Sequence, residues 1–240
     1  MTRVPRPADQ LWPPSTLTAS PGSVESLYPF IYQGATDVTA VLAQARASTA
    51  AKASEVMGLR AEVGARSGEL LTRCAADAAA RFAAGGRLLT FGNGGSATDA
   101  QQLATLFLYP PGGDAMPLPA IGLASDPAVL TALSNDIGVE VMFARQLAAF
   151  GRPGDITLGL STSGNSENLL RAFDEASRRG LMTIGIAGYD GGKMAELDSI
   201  DYLFVAASES IHRIQEAQTT MYHVLWELIV AELGSRQVRG

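Results

Sequence analysis

The sequence RLLTFGNGGS at residues 87–96 joins a short apolar run to a glycine-rich loop, and a helical pattern follows it. Four more short apolar runs lie downstream, and each run except the last is closely followed by Gly, Asn, Ser or Asp and then by a helix-length segment. The five runs are Arg87–Phe91, Pro119–Leu123, Asp155–Leu160, Met182–Ala187 and Tyr202–Val205. Strands that alternate with helices pair in parallel, with helices on both faces of the sheet. The predicted fold class is therefore α/β: a three-layer sandwich around a doubly wound, five-stranded parallel sheet.

Three segments of different composition are predicted along the chain. Residues 1–34 are rich in Pro and Ser, which predicts an extended arm. Residues 35–84 have a helical apolar pattern, and glycines within it favour an N-terminal helical hairpin over one helix, with oligomerisation as its role. Residues 85–240 hold the alternating strand and helix pattern, and they close with a long amphipathic segment, Ile211–Leu233.

The composition excludes several classes of protein. The 240 residues carry a net charge of −6, and the only lysines are Lys52 and Lys193, which disfavours direct nucleic-acid binding. Cys74 is the single cysteine, so a disulfide within the chain and a cysteine-based zinc site are both excluded. No apolar run approaches the ~18 residues of a membrane span, and early prolines interrupt any signal-peptide core. We expect a cytoplasmic protein that binds no membrane.

Two loops that follow predicted strands have the composition of anion sites. Open α/β sheets bind ligands beyond the carboxyl ends of their strands. Gly92–Ser96 offers glycines that let backbone N–H groups approach a ligand at a helix start, although a tight turn alone would also use them. Ser161–Ser166 offers four hydroxyls at another helix start, and helix capping accounts for one of them, such as Ser166, but not for four. The two loops together predict a phosphate-binding cleft.

The same loops argue against nucleotide ligands. The sequence has no Gly-Lys-Ser/Thr, which the common nucleoside-triphosphate loop requires. Gly92–Ala97 fits only a loose form of the dinucleotide fingerprint, and the nearest candidate ribose ligand, Asp126, lies farther along the chain than that fingerprint places it. A dinucleotide ligand is therefore disfavoured.

Five motifs in this order and spacing resemble the sugar isomerase (SIS) domain, in its phosphoheptose isomerase branch. They are FGNGGS at 91–96, SND at 134–136, LSTSGNS at 160–166, GYDGGKM at 188–194 and RIQE at 213–216. The resemblance covers residues 37–234. It implies a SIS or flavodoxin-like fold and a homotetramer whose active sites lie between subunits. It also implies aldose–ketose isomerisation of sedoheptulose 7-phosphate or a related sugar phosphate.

The resemblance assigns roles to individual residues. The residues that would hold the phosphate are Ser161, Thr162, Ser163 and Ser166. Those that would contact the sugar are Asn93, Gly94, Gly95, Ser96, Asn135 and Asp136. Gln215 and His223 would project from the last helix, Gln215 towards the substrate and His223 as an acid or base. Their spacing keeps both on one broad helical face.

The chain departs from the family at the catalytic base. Isomerisation moves a proton between C1 and C2 through an enediol, and it needs a base near the carbon. The family's glutamate corresponds to Leu106 here, and a leucine cannot accept a proton. The family's zinc uses that glutamate, a histidine that corresponds to Gln102, and the equivalents of Gln215 and His223. An amide oxygen and one imidazole make a poor zinc site, so we predict no zinc and no other cofactor.

Two hypotheses of different class remain open at this point. The chain is a phosphosugar isomerase with altered or relocated base chemistry, or it is a non-catalytic sensor or protein-binding module, similar to the SIS-domain protein that binds the bacterial replication initiator. As a relocated base, Asp99 and Glu216 are unconvincing, whereas Glu209 and His212 could reach the cleft of a neighbouring subunit. The arm and the apolar run Leu106–Tyr109 would suit a protein partner, although tetramer packing also explains them.

Overall fold

The computed structural model describes residues 38–112 and 116–239. The helices are α1 (Val38–Ala83), α2 (Gly95–Leu108), α3 (Pro127–Asp136), α4 (Met142–Phe150), α5 (Glu167–Arg178) and α6 (Ile211–Arg239). The strands are β1 (Leu88–Gly92), β2 (Ala120–Gly122), β3 (Ile156–Leu160), β4 (Met182–Gly188) and β5 (Tyr202–Ala206), and two 3₁₀ helices are Val139–Val141 and Gly192–Glu196. Contacts between residues divide the chain into two units, with the boundary between residues 50 and 51. The predicted boundary between residues 84 and 85 falls inside the second unit, and the predicted arm, residues 1–34, lies outside the described residues.

The five strands form one parallel sheet in the order β2-β1-β3-β4-β5. Each strand ends within one residue of its predicted bounds. From β1 the chain crosses to β2 on one side, and from β3 it continues to β4 and β5 on the other side, so the sheet is doubly wound. The predicted α/β class with a five-stranded parallel sheet is confirmed. Its topological switch point lies between β1 and β3, which is where sheets of this order bind their ligands.

Two apolar cores, one on each face of the sheet, complete the predicted three layers. On one face, α1, α2 and α6 pack against strand side chains such as Leu158 and Leu160. On the other face, α4 and α5 pack against Phe91, whose ring lies 5.4 Å from that of Phe143 and 5.2 Å from that of Phe173. Consecutive residues of a strand point to opposite faces, and both faces are covered, so β1 and β3 are apolar almost throughout.

The predicted N-terminal hairpin is wrong for residues 38–83, which form the single helix α1. The glycines at 58, 64 and 68 have open space around the position of a side chain, so each costs the helix only its propensity of ~1 kcal/mol. Burial outweighs that cost, because Val56, Leu59, Val63 and Leu71 form an apolar stripe that continues to Phe82. These five apolar side chains are spaced by three, four, eight and eleven residues, which keeps them on one helix face, and nothing in that spacing interrupts the helix.

The last helix, α6, begins at the predicted Ile211 and continues beyond the predicted Leu233 to Arg239. Its first turn is held by Arg213, whose side chain is 11% exposed and pairs with Glu55 of α1 at 3.8 Å and with Glu216. This anchoring places the amino-terminal half of α6 over the ends of β3 and β4. Among the helices of residues 38–112 and 116–239, none has both the length and the hydropathy that a membrane span requires.

Candidate functional site

Two loops and two helix starts meet at the switch point of the sheet. Gly92 at the end of β1 pairs with Leu160 at the end of β3, so the loops that follow the two strands begin side by side. The first loop leads into α2 at Gly95, and the second leads into α5 at Glu167. The amino ends of both helices therefore lie at this edge of the sheet. Helix amino ends carry partial positive charge and free N–H groups, which favours an anion between the loops.

The carbonyl oxygens of the second loop are turned towards the body of the protein. The side-chain amide of Gln218 on α6 donates to the Ser161 carbonyl at 2.9 Å. The Gly164 carbonyl accepts the Met194 N–H at 3.0 Å. Between them, the Thr162 carbonyl oxygen lies so close to Gly188 that a Cβ there would be 2.4 Å from it. The Ser163 carbonyl oxygen lies equally close to Gly192, because a Cβ on Gly192 would be 2.4 Å from it.

The opposite side of this loop presents N–H groups and hydroxyls. In the described part of the chain, the N–H groups of Thr162 and Ser163 donate no hydrogen bond. Gly164 donates its N–H to the Ser161 hydroxyl oxygen at 3.0 Å, which leaves the proton of that hydroxyl for a further acceptor. Ser166 is the N-cap of α5, yet its side chain makes no capping bond. The capping explanation for this serine is therefore wrong, and its hydroxyl remains available to a ligand.

Gly164 is required by the shape of the loop. Its φ of +67° is left-handed, and a Cβ at this position would lie 1.9 Å from the carbonyl oxygen of Gly191. Any other residue would have to move the backbone that carries the loop. The Asn165 side chain fastens the same corner, because its oxygen accepts the Lys193 N–H at 3.0 Å. The backbone and the Asn165 side chain thus fix the shape of this loop.

The first loop is tied to α5 and to α6. The side chains of Asn93 and Asn168 donate to each other, both at 2.9 Å, and so link the loop after β1 to the first turn of α5. The side-chain nitrogen of Gln215 lies 2.2 Å from where a Cβ on Gly95 would be, so the absence of a side chain at Gly95 makes room for it. The structure therefore brings Asn93, Gly95 and Gln215 together at one end of the cleft.

The side chain of His223 has a defined tautomer. Its Nδ1 lies 2.8 Å from the carbonyl oxygen of Thr219, and a carbonyl only accepts, so Nδ1 must carry the proton. In the neutral ring, the lone pair is then on the other nitrogen, Nε2. The ring stacks on that of Tyr222 with centroids 4.8 Å apart, and Tyr222 is fully buried. His223 is thus held rigidly, one turn beyond Thr219 and two turns beyond Gln215 on α6.

The residues that replace the family's acidic and metal-binding side chains lie on α2. Leu106 is half-buried and Gln102 is exposed. Asp99, on the same helix face, is half-buried, and burial raises the pKa of its carboxyl. Burial also raises the pKa of Tyr222, and the nearby charge of Asp99 raises it further. Asp99 is therefore a half-buried carboxyl group near Tyr222, seven residues before the position at which the resemblance places the base.

A zinc ion does not suit these donors. Two amides, one leucine and one imidazole stand where the resemblance requires four ligands, and amides are weak ligands for zinc. Within residues 38–112 and 116–239, no three side chains of His, Cys, Asp or Glu are grouped closely enough to hold a metal ion. We derive no chemical step through zinc, and its absence from the working protein remains a prediction.

Asn135 and Asp136 are placed on the last turn of α3, both exposed. The Asn135 amide donates to the Asp136 carboxylate at 2.8 Å. In the described residues they make no hydrogen bond to either loop, so their contact with a sugar remains a prediction. Glu209, in contrast, lines a cavity of about 730 Å³ together with Ser163, Asn165 and Asp190. Glu209 thus lies beside the second loop of its own chain.

Two residues that hold the loops in place, Gln218 and Asn168, are not predicted from the sequence. Gln218 and Asn168 are 0% and 6% exposed, and both bind the loops through their side-chain amides. Their sequence signal is a polar residue at an apolar position of a helix: Asn168 precedes Leu169 and Leu170, and Gln218 lies one turn before Tyr222. A buried amide in such a pattern needs a polar partner, and the nearest candidates are the loops at the strand ends.

The model of the family described as "SIS domain" matches residues 51–188, which include both loops. The chain belongs to the SIS domain family. It is 46% identical over 145 residues to the phosphoheptose isomerase of Aquifex aeolicus, which covers 60% of this chain and 75% of that protein. It is 42% identical over 178 residues to the phosphoheptose isomerase of Pelodictyon phaeoclathratiforme, covering 73% of this chain and 84% of that protein.

Solved structures show the same relationship. The phosphoheptose isomerase of Neisseria gonorrhoeae superimposes with a TM-score of 0.70 at 34% identity, over 77% of this chain and 97% of that one. The enzyme of Francisella tularensis superimposes with a TM-score of 0.67 at 28% identity, over 81% and 98%. The predicted family and the predicted likeness to phosphoheptose isomerases are confirmed, and the chain is a phosphoheptose isomerase-like SIS-domain protein.

Proposed function

We propose that the chain binds a sugar monophosphate of the heptose 7-phosphate type, with the phosphate on Ser161–Ser166 and the sugar towards Gln215. The observation that supports this most is the second loop, in which four successive carbonyls face the protein and N–H groups and hydroxyls face the cleft. A dianion placed there accepts hydrogen bonds from Thr162, Ser163 and Ser166 without a lysine or arginine. The relatives named phosphoheptose isomerases make this class of ligand the natural candidate.

We also propose that His223 exchanges the proton next to the sugar carbonyl. With its proton on Nδ1, the neutral ring can accept a proton at Nε2 and return it, which is what passage through an enediol requires. Removal of a proton from C1 and its return to C2 converts the ketose to the aldose, with the oxygens exchanging one proton. Leu106 takes no part in this step, and the hydroxyl groups of the sugar lie towards Gln215.

We further propose a homotetramer in the cytoplasm. The half-buried state of Leu106 and the exposed Leu108 and Tyr109 on the same segment support an apolar contact between copies. Light scattering tests the tetramer directly: a mass of four chains is expected, and a monomer would refute it.

The experiment that tests the chemistry is isotope exchange. The protein is incubated with sedoheptulose 7-phosphate in D₂O without added metal, and deuterium at C1 is followed by NMR. We expect exchange by the wild type that His223→Ala abolishes. His212→Ala is the matched variant, because His212 is the only other histidine and is exposed at the start of α6.

Each result has a defined meaning. Exchange that survives in His223→Ala but not in His212→Ala would move the base to the start of α6 and refute the role of His223. Binding by calorimetry without any exchange would refute catalysis and favour the sensor, for which Leu106 at the base position is the supporting observation. An absence of binding, for sedoheptulose 7-phosphate and for inorganic phosphate alike, would refute the phosphate loop itself.

A further inference from the structure

Gln218 connects the helix α6 to the start of the phosphate loop. Its side chain is 0% exposed. Its Nε2 donates to the Ser161 carbonyl at 2.9 Å and to the Ile186 carbonyl at 3.3 Å. The Ile186 carbonyl also accepts the Ser161 N–H at 3.0 Å. The single amide of Gln218 therefore binds the residue that follows β3, and a residue near the end of β4, to the helix that carries Gln215 and His223.

The orientation of the Gln218 amide is fixed by these partners. Two carbonyl oxygens can only be met by the NH₂ group, since the side-chain oxygen in its place would face two other oxygens. That side-chain oxygen is buried, and in the described structure it has no donor. A buried acceptor without a partner destabilises a fold. An apolar residue at 218 would remove that penalty. The presence of an amide here is therefore explained by the hydrogen bonds that its NH₂ group donates to Ser161 and Ile186.

The hydrogen bond to Ser161 determines where the next N–H points. In a trans peptide the carbonyl of one residue and the N–H of the next point in opposite directions. The Ser161 carbonyl is held towards α6, so the N–H of Thr162 points away from α6, towards the cleft. This N–H donates no hydrogen bond in the described chain. If the peptide between Ser161 and Thr162 rotated, an oxygen would face the phosphate in place of a donor.

We infer that Gln218 is a positioning residue for phosphate binding: it holds the Ser161–Thr162 peptide so that the Thr162 N–H faces the anion. This inference rests on the proposed function, because it assumes that a phosphate occupies the loop. Gln218 itself is buried beneath the loop and does not touch the ligand. Gln218 affects the affinity for phosphate by orienting one backbone N–H, that of Thr162.

The test compares Gln218→Met with the wild type. Methionine has a similar length and removes the donor. The matched control is Gln146→Met on α4, because Gln146 is also buried and, among the described residues, its side-chain NH₂ donates within its own helix, to the Met142 carbonyl at 3.2 Å. By calorimetry with sedoheptulose 7-phosphate, Gln218→Met should bind about 10- to 100-fold more weakly, the range for a lost hydrogen bond to a charged group. Gln146→Met should bind as the wild type does, and Gln218→His, which keeps an N–H donor, should recover most of the affinity.

A second measurement uses the wild-type protein alone and does not depend on how the variants fold. In ¹⁵N-labelled protein titrated with inorganic phosphate, the Thr162 amide resonance should shift downfield as it gains an acceptor. An unmoved Thr162 amide, with other loop amides shifted, would overturn the inference, as would equal affinities of Gln218→Met and wild type. If the wild type binds neither ligand, the proposed function fails together with the inference; wild-type binding with an unaffected Gln218→Met overturns the inference alone.

Discussion

Replacement of Ser166 by alanine separates ligand binding from folding. Ser166 precedes α5 as its N-cap, a position where loss of a side-chain cap costs ~1 kcal/mol. Here the cap bond is not formed, so the free energy of unfolding should fall by less than about 0.5 kcal/mol. The same hydroxyl would donate to a phosphate dianion, and the loss of such a bond costs about 1.5–3 kcal/mol. The Kd for sedoheptulose 7-phosphate should therefore rise about 10- to 150-fold.

The assays are calorimetry for the Kd and urea unfolding for stability. Ser177→Ala is the matched control, because Ser177 is exposed at the far end of the same helix, about 16 Å along its axis. It should change neither quantity. An unchanged Kd in Ser166→Ala would refute the assignment of this hydroxyl to the phosphate. Ser161→Ala gives the opposite contrast: it should lower both affinity and stability, because the Gly164 N–H loses its acceptor.

Three more perturbations test other parts of the argument. Gly164→Ala combines a φ of +67° with a backbone oxygen 1.9 Å from the new Cβ, so the free energy of unfolding measured in urea should fall by more than about 4 kcal/mol. Gly85 also has a positive φ but has open space around it, so Gly85→Ala should lower the free energy of unfolding by only about 1–2 kcal/mol. Equal losses would contradict the loop geometry. Leu106→Glu with Gln102→His should create zinc binding in equilibrium dialysis, and its absence would mean that the site differs from the family at further positions. Burial raises the folded-state pKa of Asp99, so the contribution of this group to stability is fully present below the ordinary aspartate pKa and is lost as the pH rises through the raised value. Asp99→Asn should therefore raise the Tm near neutral pH but not in acid. An equal Tm difference at both pH values would contradict this.

The sheet was predictable because its strands are short, apolar and bounded by loop residues. Buried parallel strands carry apolar side chains on both faces, so their limits appear in the sequence as changes of composition. The hairpin prediction failed because propensity was weighted above burial: glycines at 58, 64 and 68 weaken a helix locally, whereas the stripe from Val56 to Phe82 stabilises it along its length. A periodic apolar stripe is the stronger signal when the glycines lie off it.

The site was only partly predictable. Its hydroxyls and glycines stand in contiguous motifs, so residues 92–96 and 161–166 could be found by reading along the chain. The residues that orient those loops could not, because Gln218 lies 57 positions from Ser161 and Asn168 lies 75 positions from Asn93. A buried amide in a helix indicates that it has a hydrogen-bond partner, but the sequence does not identify that partner. For Gln218, the partner is determined by the packing of α6 over β3 and β4.

The proposed phosphate binding and the proposed proton transfer depend on different groups, the first on backbone N–H groups and the second on a side chain. Phosphate binding as proposed depends on backbone N–H groups, and their directions follow from the contacts of the loop carbonyls with Gln218, Met194 and Gly188. The proposed proton transfer depends on a single side chain, His223 on α6. Leu106 on α2, where the family's base would stand, changes that chemistry and leaves the hydrogen bonds of the loop in place. A rise in Tm on addition of a sugar phosphate would therefore show that the loop binds phosphate, but not that the protein is an enzyme. Only exchange of a proton on the sugar would show catalysis.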